Sequence, residues 1–165
     1  MDVLINNFLS NFNTEAFGQL LLAAFLGALV GVEREISRKS AGMRTYALIS
    51  TGSAFFSLIS VLLYERLGMQ SGYDPSRIVS QIVVGVGFIG AGLIFLKDLK
   101  VQGLTTAAGI WVVAAIGMAV GLKFYDIALF ASVLTITIFI LLWNIEERIV
   151  KRFSAHHKGE SSNDF

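Results

Sequence analysis

Residues 84–95 read VGVGFIGAGLIF, and Gly85, Gly87 and Gly90 match G-x-G-x-x-G, the fingerprint of a dinucleotide-binding loop. That motif has chemical meaning only where a strand enters the glycine turn and a helix leaves it, with an acidic residue about 20 positions on for a ribose. The surroundings decide between a nucleotide loop and something else. Of the 165 residues 55% are hydrophobic and the mean hydropathy is +0.69, well above the roughly 45–50% apolar content of soluble domains. Such a chain belongs in a membrane. An isolated strand cannot cross lipid, because its backbone groups would stay without partners. The stretch is therefore read as part of a transmembrane helix, or as a break within one, and the nucleotide reading fails.

Five apolar runs surround this reading, at Phe17 to Val32, Thr45 to Tyr64, Ile78 to Leu96, Leu104 to Leu122 and Tyr125 to Trp143. Each approaches the roughly 20 residues needed to span hydrocarbon as a helix. The expectation is an all-α membrane protein, a compact bundle of five transmembrane helices over 17–143. Residues 1–16 precede it, with Val3, Leu4, Phe8 and Phe12 on one side of a short interfacial helix. They lack the basic n-region and cleavage site of a secretory signal. A polar tail, 144–165, follows and ends in HHKGESSNDF, whose composition resembles disordered segments. Pro75 is the sole proline. With Asp74 as N-cap and Pro75 at the first helical position, the third helix is expected to start there.

Basic residues orient the bundle. Arg34, Arg38, Lys39, Arg44, Lys97, Lys100, Arg148, Lys151, Arg152 and Lys158 fall on one side when the loops alternate, against only Arg66, Arg77 and Lys123 on the other. This predicts an N-terminus outside and a C-terminus in the cytoplasm. The 13 basic and 12 acidic residues nearly balance, so charge suggests no nucleic acid. There is no cysteine, which removes disulfides, thiolate metal sites and cysteine nucleophiles together.

Small residues recur along the spans. Gly85, Gly87, Gly90 and Gly92, the pair Gly27 and Gly31, and the pair Gly117 and Gly121 are expected to let helix backbones approach closely. The four glycines of 85–92 also weaken a helix, each by about 0.8–1.0 kcal/mol relative to alanine, so a local unwinding of the kind that builds ion sites in transporters is the alternative. Ser50, Ser53, Ser57 and Ser60 share one helical face, either as a close contact bonded to the helix's own carbonyls or as the wall of an ion path.

Charge meets the membrane in GVEREISRKSAGMRT, residues 31–45. Arg34, Arg38 and Lys39 are expected to snorkel to the interface. A carboxylate at the depth of Glu33 needs a partner, and Arg44, next to Thr45 across the short loop, is the nearest in sequence. A structural Glu33–Arg44 pair is therefore the expectation, with metal binding by Glu33 the alternative. Arg77 and Gln81 sit one turn apart and are expected to hydrogen-bond between helices. Thr105 and Thr106 follow Gly103, where hydroxyl capping of the fourth helix is expected.

Taken together, GALVGVEREISRKSAGMRTYALISTGSAFF (27–56), DPSRIVSQIVVGVGFIGAGLIF (74–95) and VQGLTTAAGIWVVAAIGMAVGLKFYDIA (101–128) resemble the MgtC/SapB family of bacterial inner-membrane proteins. The resemblance implies five transmembrane helices, a multi-pass place in the bacterial inner membrane, and a link to growth in low magnesium and, in pathogens, to survival in macrophages. For some members it also implies inhibition of the F-type ATP synthase; others carry the label of a magnesium-transport ATPase subunit. Neither a G-x-x-x-x-G-K-[ST] loop nor a D-K-T-G phosphorylation motif is present, so the chain alone is not expected to hydrolyse ATP or bind a nucleotide. Many relatives carry a soluble C-terminal domain, whereas only about twenty residues follow Trp143 here. The leading expectation is a non-enzymatic regulator without cofactor, dimeric in the bilayer and contacting the F-type ATP synthase or another membrane protein. The alternative is a small transporter or channel for Mg²⁺ or another cation.

Overall fold

The computed structural model describes residues 14–67, 74–97 and 99–160. The interfacial helix expected of residues 1–16 falls mostly outside them, Val3, Leu4, Phe8 and Phe12 entirely so. Five helices follow in order: α1 (Thr14–Ile36), α2 (Met43–Leu67), α3 (Ser76–Gly92), α4 (Leu104–Gly121) and α5 (Tyr125–Glu160). Four of them are long and apolar enough to cross a membrane, while Ser76–Gly92 is an apolar helix of 17 residues, about 26 Å of rise. The last helix continues past Trp143 to Glu160.

Local chemistry sets the helix ends. The Glu35 carboxylate accepts the Met43 N–H at 3.1 Å, satisfying one of the orphan donors of α2 and placing negative charge at its N-terminus. Asp74 accepts the Ser76 N–H and hydroxyl, both at 2.9 Å, so it caps α3 as its side-chain chemistry dictates. α1 ends with Lys39 N–H on the Arg34 carbonyl and Arg38 N–H on that of Glu35. α4 repeats that double bond, from Phe124 to Ala119 and from Lys123 to Val120. Both are Schellman ends, with Arg38 (φ 50°) and Lys123 (φ 66°) in the left-handed position that glycine usually takes.

Three features depart from the sequence reading, the first being that α5 runs on through residues 144–160, expected as a polar tail. The third apolar run does not continue to Leu96: after Gly92 the chain leaves the helix, and Phe95–Lys97 (β1) pairs antiparallel with Lys100–Gln102 (β2), Phe95 opposite Gln102. The fourth helix is not capped by a threonine hydroxyl. Its N-cap is Gly103 at φ 89°, with no side-chain cap bond. A Cβ there would also overlap the Leu93 carbonyl, so this corner requires glycine twice over.

α4 is the centre of the bundle and packs against each of the other helices. Its Ile110, Val113, Ile116 and Val120 are fully or almost fully buried, against Leu26 and Val30 of α1, Tyr46 and Ala54 of α2, Val86 of α3 and Phe139 of α5. The outward faces are also apolar, with Leu21, Leu48, Phe88, Phe130 and Val133 largely exposed. A soluble protein does not leave so continuous an apolar surface in water. Lipid is the solvent that suits it.

Candidate functional site

The glycines separate into two groups. A Cβ on Gly27 would stand 2.7 Å from the Tyr46 carbonyl and from Ser50 Cβ, and one on Gly31 would stand 2.6 Å from Met43 Cα. On α4, a Cβ on Gly117 would lie 2.8 Å from the carbonyl carbon of Ser50, and one on Gly121 the same distance from Ser57 Cβ. Thus α2 is clasped by α1 and α4 through glycine, with Ser50 in both contacts. Gly90 makes only ordinary contact with Ala107, and around Gly85, Gly87 and Gly92 no atom lies within 4 Å of an added Cβ. The close packing expected at those three positions is therefore not formed within this chain: Gly85 and Gly92 lie on one flank of the buried Ile82, Val86 and Gly90 face of α3 and Gly87 on the other, and neither flank meets another backbone. The segment is helical through Gly92 rather than unwound.

At the end of the bundle where α1 leaves it, a charged node lies inside the protein. The Arg34 side chain is 3% exposed and forms an ion pair with Glu33, whose own side chain is 11% exposed. The Ser37 hydroxyl donates to the other Glu33 oxygen at 2.8 Å. The guanidinium of Arg34 lies 3.6 Å from the centroid of the Phe139 ring on α5, a cation–π geometry. Two expectations are corrected here. Arg34 does not snorkel outward, and Glu33 does not pair with Arg44, which is exposed. The cause is the Schellman end of α1: it directs Glu35 to the start of α2 and leaves Glu33 against its own helix.

Beneath the node, Tyr46 is completely buried and its hydroxyl donates to the Thr106 carbonyl at 3.3 Å. Gly109 gives it room, since a Cβ there would overlap the Tyr46 hydroxyl and stand 2.8 Å from Phe139 Cζ. Glu33, Arg34, Tyr46, Thr106 and Phe139 thus gather at one end, joined through α1, α2, α4 and α5. Thr45 is partly buried and Thr105 exposed. Sequence reasoning missed Tyr46 and Phe139, because nothing local distinguishes a buried tyrosine that meets a distant carbonyl from an ordinary apolar neighbour.

The serine face of α2 is wholly buried. Ser57 donates to the Ser53 carbonyl at 2.9 Å and Ser60 donates to the Pro75 carbonyl, while the Ser50 hydroxyl has no partner. At the opposite end from the node, Gln19 donates to the Val120 carbonyl at 3.1 Å and Lys123 pairs with Glu15 at 2.7 Å. That hydrogen bond holds the Lys123 ammonium above its ordinary pKa. The hydrogen bonds from Ser76 hold the Asp74 carboxyl below its ordinary pKa. Arg77 and Gln81 are exposed along α3 and make no bond to another helix among the described residues, contrary to expectation. No group of three or more histidines, cysteines or carboxylates close enough to hold a metal ion occurs among the described residues.

Comparison with known proteins adds a lineage. The profile of the MgtC family matches residues 20–148. An Escherichia coli K12 protein named "Putative magnesium transporter YhiD" is 41% identical over 140 residues, which is 81% of this chain and 63% of that protein. Protein MgtC of Salmonella typhimurium LT2 is 43% identical over 130 residues, 79% of this chain and 53% of that protein. A Haemophilus influenzae protein of uncharacterised function is 38% identical over 86% of this chain and 61% of its own length. The chain thus spans less than two thirds of the length of these relatives. No solved structure matches it.

Proposed function

We propose, from the premise that this chain belongs to the MgtC family, that it is a non-enzymatic regulator acting through contacts with another membrane protein. Family membership and four long apolar helices make it a multi-pass protein of the bacterial inner membrane, and the family and the names of its relatives tie it to a magnesium-related function. In this reading α3 is the fifth span, the N-terminus lies outside and the C-terminus lies in the cytoplasm. The F-type ATP synthase is a candidate target, and a second copy of the chain a candidate partner.

One observation carries the regulator reading. The carboxylates at the charged end are committed to internal bonds, Glu33 to Arg34 and Ser37 and Glu35 to the Met43 N–H, while the outward face of α3 around Gly87 is open. Close approach at small residues is how membrane helices recognise one another. Replacing Gly87 with leucine is expected to leave the fold intact and to abolish recovery of the partner complex from native membranes. Unchanged recovery of the ATP synthase and of every other membrane complex defeats this reading.

The transporter reading draws on the name of the Escherichia coli relative and on the unpartnered Ser50 hydroxyl inside the serine row. Mg²⁺ takes oxygen ligands and keeps much of its water, so transport requires a hydrated passage. Mg²⁺ flux into liposomes that is lost in Glu33→Gln supports this reading over the regulator. No flux from folded protein removes it.

A further inference from the structure

Between α2 and α3 runs a groove of about 810 Å³ that opens sideways, towards the lipid. Its polar lining on α3 lies towards one end. Arg77, Ser80 and Gln81 of the first turns of α3 stand there, with Ile78 and, from α2, Phe56 beside them; Leu48, Ile49, Val86 and Ile89 line the other end, and Ser53 lies between. Gly52 and Gly85 stand on opposite walls of the apolar half, and an added Cβ on either would meet nothing within 4 Å. The groove is hollow because both helices lack a side chain there.

We propose that this groove binds a phospholipid with an anionic headgroup, its phosphate at Arg77 and one acyl chain along Gly52 and Gly85. The dimensions fit. From Arg77 to Ile89 the helix rises about 18 Å at 1.5 Å per residue, against about 15 Å for one leaflet of a hydrocarbon core of about 30 Å. The volume also lies within the roughly 300–1,000 Å³ of ordinary ligand sites, which are mostly apolar with a few placed polar groups. Charge selects the headgroup. Arg77 is the sole charged residue lining the groove and makes no ion pair among the described residues. Asp74, which feels its field, holds Ser76 at the helix cap. A guanidinium bordering a mostly apolar cleft offers a lipid phosphate a charge-assisted, two-pronged contact. Gln81, exposed to lipid with no partner on another helix, gains a headgroup oxygen to donate to. The proposal also accounts for Gly85, for which packing within the chain gives no reason.

The test is native mass spectrometry of the purified full chain in detergent, incubated with equal amounts of phosphatidylglycerol and phosphatidylcholine carrying the same acyl chains. The wild type is expected to retain phosphatidylglycerol roughly tenfold better, because phosphatidylcholine brings the same phosphate but sets a quaternary ammonium beside Arg77, which repels the guanidinium. Arg77→Gln is expected to erase that preference and Arg77→Lys to keep most of it. Gly85→Phe, which fills the apolar half, is expected to reduce retention of both lipids; should it fail to fold, Gly52→Leu fills the opposite wall. Equal retention of the two lipids by the wild type overturns the proposal, as does an undiminished preference in Arg77→Gln. A dimer that holds no lipid and dissociates in Gly85→Phe assigns the groove to a second copy and overturns it as well.

Discussion

At Gly117 on α4 the carbonyl group of Ser50 leaves no space for a methyl group, whereas at Gly87 on α3 an added methyl meets nothing within 4 Å. Both glycines lie in apolar helices and in small-residue motifs, and the motif does not distinguish them. Their surroundings do. On α1 and α4 glycine removes bulk so that backbones can touch; on α3 it leaves a helix surface low and open to whatever lies outside the chain. A small-residue motif thus reports that close approach is possible, and the fold decides whether the approach occurs within one chain.

Substitution should separate the two groups most sharply. Gly117→Leu is expected to leave no folded protein, because overpacking costs typically about 1–3 kcal/mol and more where the obstacle is backbone. Gly87→Leu is expected to accumulate like the wild type and to keep its detergent melting temperature. Equal loss of both would erase the distinction between packed and open glycines.

The charged node tests whether the packed end depends on charge as well as on shape. Arg34→Met leaves Glu33 without its cation in a mostly buried place, and removing one partner of such a pair costs about 3–5 kcal/mol. A large fall in the detergent melting temperature is expected, recovered in good part by Glu33→Gln in the same chain. No recovery would mean that Arg34 acts through its contact with Phe139 alone. Gly87→Ala, by contrast, is expected to raise stability by up to about 1 kcal/mol, the difference in helix propensity. Ser50→Ala lies between these poles. It keeps the small size that Gly27 and Gly117 require and removes a buried hydroxyl without a partner, so a change from neutral to about 1 kcal/mol stabilising is expected in the same melt.

The smallest effect belongs to the cap of α3. Because the Asp74 carboxyl titrates below its ordinary value of 3.8 when folded, its contribution is fully present above that value and is lost as pH falls through the folded pKa. Melting followed on acidification should show a slight loss in the wild type that Asp74→Asn lacks.

Much of this architecture was legible locally. The apolar runs marked the helices, and Asp74 with Pro75 marked the start of α3, because both signals depend on neighbouring residues. The end of α3 was not legible: Phe95 and Leu96 continue an apolar run, and a two-stranded hairpin of three-residue strands has too short an alternation to stand out. The partner of Glu33 was misjudged for a related reason. Proximity across a loop favoured Arg44, but the left-handed turn at Arg38 decides which carboxylate faces α2. The coverage of Gly85 and Gly87 depends on where α2 and α4 lie, and periodicity along one helix carries no information about that.

The central position of α4 also has a consequence for biogenesis. Synthesis delivers α1, α2 and α3 to the membrane before the helix they all touch, so until α4 arrives the Ser50 to Ser57 face of α2 lacks the cover of Gly117 and Gly121. The hairpin of α1 and α2, joined through Gly27, Gly31 and the Glu35 cap, is the part that can close first. A chain stalled before Leu104 leaves that serine face turned to the lipid.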